Sequence, residues 1–404
     1  MERSGSTQAA RLALIGAGTM GAGIAQVALE GGWLVTLFDT TPGAIDTARE
    51  RIRGGLARRA AKSGDEDPDA GVARLLANLT ASAGVSEAVA GAQLVIEAAL
   101  EDLDLKRRLF ADLDEAAAAD AILATNTSAL SVTSIAEAAG RPERVVGLHF
   151  FNPAPVLPLV EVVSGRRSAD WAVERAASIV EGWGKTAIRV ADSPGFIVNR
   201  VNRPFTLEPL RLLRAGMGTI ETIDAAIVET GFRMGPFALM DLIGIDVNLA
   251  AARGLFDASG RPPRFRPSPI QEELVAAGRL GRKTGEGFYH YAEGRSSGPA
   301  TRFSAESSAP GPRRPAHLEA STIAERVILA IVNEAYRAVG EAVATEDDID
   351  RAMQLGANHP FGPFEWARRT GIHEVVVMLD ALSDEDADTF RPSLPLLRQA
   401  RSQA

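Results

Sequence analysis

The chain of 404 residues contains no cysteine. That absence excludes disulfides, thiolate nucleophiles and every cysteine-ligated zinc or iron–sulfur site, and it fits a reducing compartment. Positive charge is also short, with 43 Lys and Arg against 52 Asp and Glu and a formal net charge of −9. A chain of this sign has no global field to hold nucleic acid or an anionic membrane surface, so neither is expected as a partner. Any anionic ligand must be held by a local device. Long apolar runs are missing as well: none approaches the ~20 residues of a helical span, and Met1 to Arg11 carries no apolar leader segment, so a cytoplasmic location is expected. Histidines number only 5, no metal-ligating spacing stands out, and no metal is expected.

What is present describes a globular chain with room for two or three domains: 46% hydrophobic and 24% charged residues. The first ~190 residues alternate short apolar or β-branched runs with helical stretches, the pattern of βαβ units and a mostly parallel sheet. Strands are predicted at Arg11–Ile15, Leu34–Phe38, Asn78–Ser82, Leu94–Glu97, Ala121–Thr125, Val145–His149, Pro158–Val163 and Thr186–Val190. Leu105, Leu109 and Leu113 recur at helical spacing within Leu103–Ala118. From Pro194 onward the pattern is helical, as in Val201–Ala215 and Ile220–Glu229.

These shifts suggest four segments: an α/β nucleotide-binding domain over 1–192, a helical domain over 193–292, a Gly-, Pro-, Ser- and Arg-rich flexible linker over 293–318, and a second helical segment over 319–404. The last resembles the second. Glu208, Arg211, Thr219, Ile223 and Asp224 recur 126 positions on as Glu334, Arg337, Thr345, Ile349 and Asp350. Gly235-Pro236-Phe237 returns as Gly362-Pro363-Phe364, and Phe265-Arg266-Pro267-Ser268 as Phe390-Arg391-Pro392-Ser393. Matches in order at nearly one offset indicate two copies of one helical domain.

Gly16-Ala17-Gly18-Thr19-Met20-Gly21 follows the apolar run Leu12–Ile15 and opens a helical run. In that context Gly16 permits a tight turn, Gly18 lets the backbone approach a pyrophosphate, and Gly21 allows helix to pack on strand. The free N–H groups of Thr19, Met20 and their neighbours would then face the phosphates. Asp39 ends the second predicted strand, where a carboxylate accepts from ribose hydroxyls and repels a 2′-phosphate, favouring NAD over NADP. The competing reading is a glycine-rich turn with an acidic helix cap.

Of the histidines, His290, His317, His359 and His373 have ordinary settings, whereas His149 ends an apolar strand at the sheet edge where α/β proteins place ligands. Glu161 interrupts Leu159-Val160-Glu161-Val162-Val163, an apolar strand that tolerates a carboxylate only with a partner. Paired with His149, it would fix the imidazole tautomer for proton transfer. Alternatively it is an exposed residue of an edge strand. Ser128 reads as a helix cap or as a hydroxyl donor to a substrate oxygen, and Asn199 as an indifferent amide or a second donor.

Taken together, the glycine loop, Ala124-Thr125-Asn126-Thr127-Ser128, Gly147-Leu148-His149-Phe150-Phe151-Asn152-Pro153, Ser193–Arg200 and Gly281–Tyr289 resemble the 3-hydroxyacyl-CoA dehydrogenase family, with the likeness running from about Arg11 to Tyr291. The resemblance implies a Rossmann-type doubly wound α/β sheet followed by an all-α domain, here in two copies, and oxidation of a short-chain L-3-hydroxyacyl-CoA by NAD⁺. It assigns His149 and Glu161 as the catalytic dyad and Ser128 and Asn199 as substrate-orienting residues. It further implies cofactor contacts at Asp39, Glu101, Lys106 and Asn152. The substrate's CoA phosphates would meet a basic helix carrying Arg51, Arg53, Arg58, Arg59 and Lys62, with Arg58 and Lys62 the candidate contacts; a solvated face is the plain alternative. Since Glu325 occupies the position matching Asn199, the second copy is expected to hold no active site. Covering the first copy's apolar surface would make an internal pseudo-dimer, hence a monomer or weak homodimer. The rival functions are a same-fold NAD dehydrogenase of a free hydroxy or sugar acid and a non-catalytic NAD-binding protein.

Overall fold

Short apolar and β-branched runs form the strands of the first unit: β1 (Arg11–Ile15), β2 (Leu34–Phe38), β3 (Leu79–Ala81), β4 (Leu94–Glu97), β5 (Ile122–Thr125), β6 (Val145–Phe150), β7 (Leu159–Ser164) and β8 (Thr186–Ala191), the central ones, β4 to β7, being buried on both faces. They make one sheet in the order β3-β2-β1-β4-β5-β6-β7-β8. Every neighbouring pair is parallel except β6 and β7, which are antiparallel. The link between those two, Phe151 to Pro158, is too short for the crossover that a parallel pair demands. Among the described residues, seven α-helices flank the sheet: α1 (Thr19–Glu30), α2 (Ala44–Ser63), α3 (Pro68–Leu76), α4 (Val85–Val89), α5 (Leu103–Ala116), α6 (Val132–Ala136) and α7 (Asp170–Gly182). Leu14, Leu37, Ile96, Leu148 and Val160 of the strands pack with Ile24 and Val27 of α1 and Ile52 of α2 in a single core.

The structure, a computed structural model, describes residues 9–63, 67–300 and 318–402. It divides into two units between Phe196 and Ile197, four residues beyond the boundary read from sequence.

The second unit is helical: α8 (Val198–Val201), α9 (Arg203–Arg214), α10 (Ile220–Glu229), α11 (Pro236–Ile243), α12 (Ile245–Ala258) and α13 (Pro269–Ala276), then α14 (Ala320–Gly340), α15 (Glu346–Ala357), α16 (Pro363–Thr370), α17 (Ile372–Ser383), α18 (Ala387–Phe390) and α19 (Leu394–Ser402). Helix α14 is buried almost all round, as an apolar sequence such as Ile328-Leu329-Ala330-Ile331-Val332 requires.

Local devices recur between the two series. Thr219 caps α10 and Thr345 caps α15. Asp224 accepts the N–H groups of Phe237 and Ala238 at 2.9 and 3.0 Å, and Asp350 those of Phe364 and Glu365 at 2.7 and 2.8 Å. Gly244 and Gly371 both break the chain between helices at positive φ, 107° and 98°.

Part of the linker expected over 293–318 is regular structure. Strands β9 (Tyr289–Ala292) and β10 (Arg295–Pro299) pair as an antiparallel hairpin. Its turn, Glu293-Gly294, takes positive φ at both residues (50° and 75°), the geometry that matches the twist of paired strands. Residues 301–317 of that segment, with His317, lie outside the described residues.

Candidate active site

The carboxyl ends of the strands gather the residues of interest. Strand order reverses at β1, which lies between β2 and β4, so the loops after β1 and β4 part to leave a crevice. The glycine loop enters it. Gly16 adopts φ 104°, and a Cβ there would lie 2.5 Å from the Ala98 carbonyl oxygen. A Cβ at Gly21 would collide with the Gly16 carbonyl, so helix and turn approach as only glycine allows. At Gly18, by contrast, a Cβ would meet nothing within 4 Å. Gly18 is also the N-cap of α1 and supplies no side-chain cap, leaving the first N–H groups of the helix, those of Thr19 and Met20 among them, to an outside acceptor. An open approach over uncapped N–H groups fits a pyrophosphate.

Asp39 follows β2 and receives the N–H groups of Ala17 and Thr41, each at 2.7 Å. Burial pushes its carboxyl up, but those donors outweigh it and hold the pKa below the ordinary aspartate value. The carboxylate is therefore ionised where a ribose would lie.

At the end of β4 a second group forms. The Lys106 ammonium is buried, 2.6 Å from Glu97 Oε1 and 3.4 Å from Glu101 Oε2. Glu97 also accepts from the Thr125 hydroxyl at 2.7 Å and the Ala99 N–H at 2.6 Å. Glu101 in turn accepts the Thr127 hydroxyl at 2.6 Å and the N–H groups of Ser128 and Ala129 at 2.8 and 3.1 Å. Burial raises the Glu101 pKa, yet the Thr127 hydroxyl, Lys106 and the two N–H groups bring it below the usual value. Lys106 thus acts through carboxylates, while Glu101 holds the loop that presents Ser128. Sequence reading missed Glu97 and Thr127, although a glutamate closing the apolar run Leu94-Val95-Ile96 was a visible signal.

Two strands away, His149 and Glu161 face each other across the antiparallel pair β6 and β7. The imidazole Nδ1 stands 2.6 Å from Glu161 Oε2, and the side chains are 7% and 0% exposed. Since a carboxylate only accepts, Nδ1 donates, which in the neutral imidazole places the lone pair on Nε2; Nε2 has no hydrogen-bond partner among the described residues. Phe151 and Phe196 rings, with centroids 4.4 and 5.6 Å from the imidazole, restrict its rotation. The Asn126 side-chain carbonyl accepts the Phe150 N–H at 3.0 Å, tying the Ser128 loop to the end of β6. Asn152 is exposed just beyond.

Asn199 lies on α8, in the second unit. Arg58 and Lys62 lie exposed on α2 without an ion-pair partner among the described residues, whereas Arg59 is drawn to Glu30 at 2.9 Å and Arg53 to Glu50 at 3.7 Å. No group of three or more metal-ligating side chains occurs among the described residues, and no described helix is long and apolar enough to cross a membrane.

The family model described as 3-hydroxyacyl-CoA dehydrogenase, NAD binding domain, matches residues 11–193, and that of the C-terminal domain matches 195–291 and 323–402. A 3-hydroxyadipyl-CoA dehydrogenase of Escherichia coli (strain K12) is 36% identical over 96% of both chains. The mitochondrial hydroxyacyl-coenzyme A dehydrogenase of Sus scrofa is 40% identical, covering 69% of this chain and 90% of its own. Among solved structures, a 3-hydroxybutyryl-CoA dehydrogenase from Escherichia coli K12 superposes with a TM-score of 0.87 at 34% identity, over 98% of this chain and 99% of that one.

Proposed function

The chain belongs to the 3-hydroxyacyl-CoA dehydrogenase family, and from that premise we propose how its own residues carry out the NAD-dependent oxidation of a 3-hydroxyacyl-CoA to the 3-oxoacyl-CoA. NAD⁺ supplies the hydride acceptor. His149 takes the proton of the substrate's C3 hydroxyl on Nε2, and Glu161, fixed on Nδ1, stabilises the imidazolium that results. The observation carrying this assignment is the 2.6 Å contact between Nδ1 and a fully buried carboxylate, which leaves the opposite nitrogen as the base. Ser128, presented by Glu101, and Asn199 orient the substrate oxygen. Formation of NADH with 3-hydroxybutyryl-CoA but not with free 3-hydroxybutyrate tests the reading against a dehydrogenase of free hydroxy acids.

For the cofactor, the N–H groups of Gly18, Thr19, Met20 and Gly21 hold the pyrophosphate and Asp39 the ribose, while Gly16, whose N–H donates to the Phe38 carbonyl at 2.8 Å, sets the turn of the loop. Glu101, with Lys106 behind it, and Asn152 complete the contacts around the nicotinamide end. Arg58 and Lys62, cationic and uncommitted on α2, are the contacts for the CoA phosphates. The substrate is a short-chain thioester; relatives are named for both 3-hydroxybutyryl-CoA and 3-hydroxyadipyl-CoA, the second longer by two carbons and ending in a carboxylate.

We further infer that the two helical series are copies of one domain that pack as an internal pseudo-dimer, so that the protein is a cytoplasmic monomer or weak homodimer. The recurring Asp224 and Asp350 caps support this, as does a reciprocal pair of contacts: Arg200 to Glu334 and, 126 positions on, Arg326 to Glu208. Exchange of the same contact in both directions is the signature of an isologous interface. A single-chain mass in light scattering is expected; a tight dimer contradicts it.

A further inference from the structure

Five cations are buried among the described residues: Lys106, Arg144, Arg200, Arg203 and Arg326. Four have carboxylates. Lys106 meets Glu97, Arg144 meets Asp114, Arg200 meets Glu334 and Glu341, and Arg326 meets Glu208 and Glu385. Arg203 has none. It is 6% exposed, its Nε is buried without a hydrogen-bond partner, and its guanidinium makes no ion pair among the described residues. Burial alone pushes its pKa down to about 10, still far above neutrality, so the group is charged. An uncompensated buried guanidinium is strongly destabilising unless something brings the missing negative charge.

The position of Arg203 says what that is. Asn199 and Arg203 are four residues apart, and the intervening Asn202 keeps a right-handed helical backbone, φ −79° and ψ −8°. Residues at this spacing share one helix face, about 6 Å apart along the axis. In the reading above, Asn199 holds the oxygen on C3. In a six-carbon acyl group the terminal carboxylate lies three carbon–carbon bonds from C3, roughly 4 Å along an extended chain, within reach of a side chain one turn further on.

Resting on that reading, we propose that Arg203 is the specificity-determining residue that pairs with the terminal carboxylate of a dicarboxylic 3-hydroxyacyl-CoA. A hydrocarbon tail in the same place leaves the guanidinium unmet, so the site discriminates against it much as buried polar groups reject substrates that lack their partner. The carboxylate becomes the counter-ion that the fold itself does not provide, and the preferred substrate class is the dicarboxylic thioester.

The test compares kcat/KM for 3-hydroxyadipyl-CoA and 3-hydroxyhexanoyl-CoA, equal in carbon number but ending in a carboxylate or a methyl, using the full-length wild type, Arg203→Lys and Arg203→Met. The wild type is expected to prefer the dicarboxylate by on the order of a hundredfold. Arg203→Met collapses that ratio towards one through a raised KM for the dicarboxylate, and Arg203→Lys keeps an intermediate preference. Inhibition of the wild type by adipyl-CoA and hexanoyl-CoA, which lack the hydroxyl, gives the same comparison without a variant; tighter inhibition by adipyl-CoA is expected. A wild-type ratio near one, equal inhibition by the two thioesters, or an Arg203→Met variant that lowers both activities in parallel overturns the proposal. An enzyme that oxidises neither thioester overturns instead the reading on which it rests.

Discussion

Arg200 Nε donates to Glu334 Oε1 at 2.7 Å, joining the helix that opens the second unit to the long helix α14. The counterpart, Arg326 to Glu208 at 2.6 Å, runs in the opposite direction, and both glutamates are buried to 1% exposure or less. Removing Arg326 leaves the buried Glu208 carboxylate with Arg211 alone, 3.1 Å away. Arg326→Met is therefore expected to destabilise the chain by ~1–3 kcal/mol in denaturant unfolding. Adding Glu208→Gln should recover much of that loss. Two additive losses would show that the contact contributes nothing to holding the halves together.

His359 sits against the rings of Phe205 and Phe232, its Nε2 2.8 Å from the Asn202 side-chain oxygen. Burial pushes its pKa down from 6.5 to about 3. Below pH 6.5 the unfolded chain binds a proton that the folded chain refuses, so stability is full above 6.5 and drains away as the pH falls towards 3. At pH 5 the loss is ~2 kcal/mol. His359→Phe should flatten this part of the stability profile. An unchanged difference between pH 7 and pH 5 would move the acid sensitivity elsewhere.

In the proposed reading Asp39 sets the choice of cofactor. Asp39→Ala is expected to raise KM for NAD⁺ by on the order of tenfold to a hundredfold, the range for losing hydrogen bonds to a charged acceptor, and to narrow the preference over NADP⁺. Steady-state kinetics with both cofactors measure it. An unaltered preference would mean that discrimination lies in another residue.

The central strands were legible because burial on both faces leaves uninterrupted apolar runs, the outer ones because they remain short and β-branched, and the observed edges of the sheet's strands fall within one residue of those read from sequence. A glutamate inside one such run, Glu161, announced a partner, and His149 stands opposite it in the register. The same logic applied to Glu97 and was not followed, which hid the ion pair beneath Glu101. The hairpin of β9 and β10 was concealed by its composition, since Arg295-Ser296-Ser297-Gly298-Pro299 has no apolar alternation. Arg203 gave no warning either. An arginine before a proline at a helix start looks solvated, and only burial without a counter-ion distinguishes it.

The account turns on the imidazole of His149 as the base. His149→Gln, assayed for NADH formation with a 3-hydroxyacyl-CoA while NAD⁺ affinity is measured separately by titration, tests it most directly. A fall in kcat of roughly 10²–10⁴ with the dissociation constant for NAD⁺ nearly unchanged is predicted. Near wild-type turnover in that variant would contradict it.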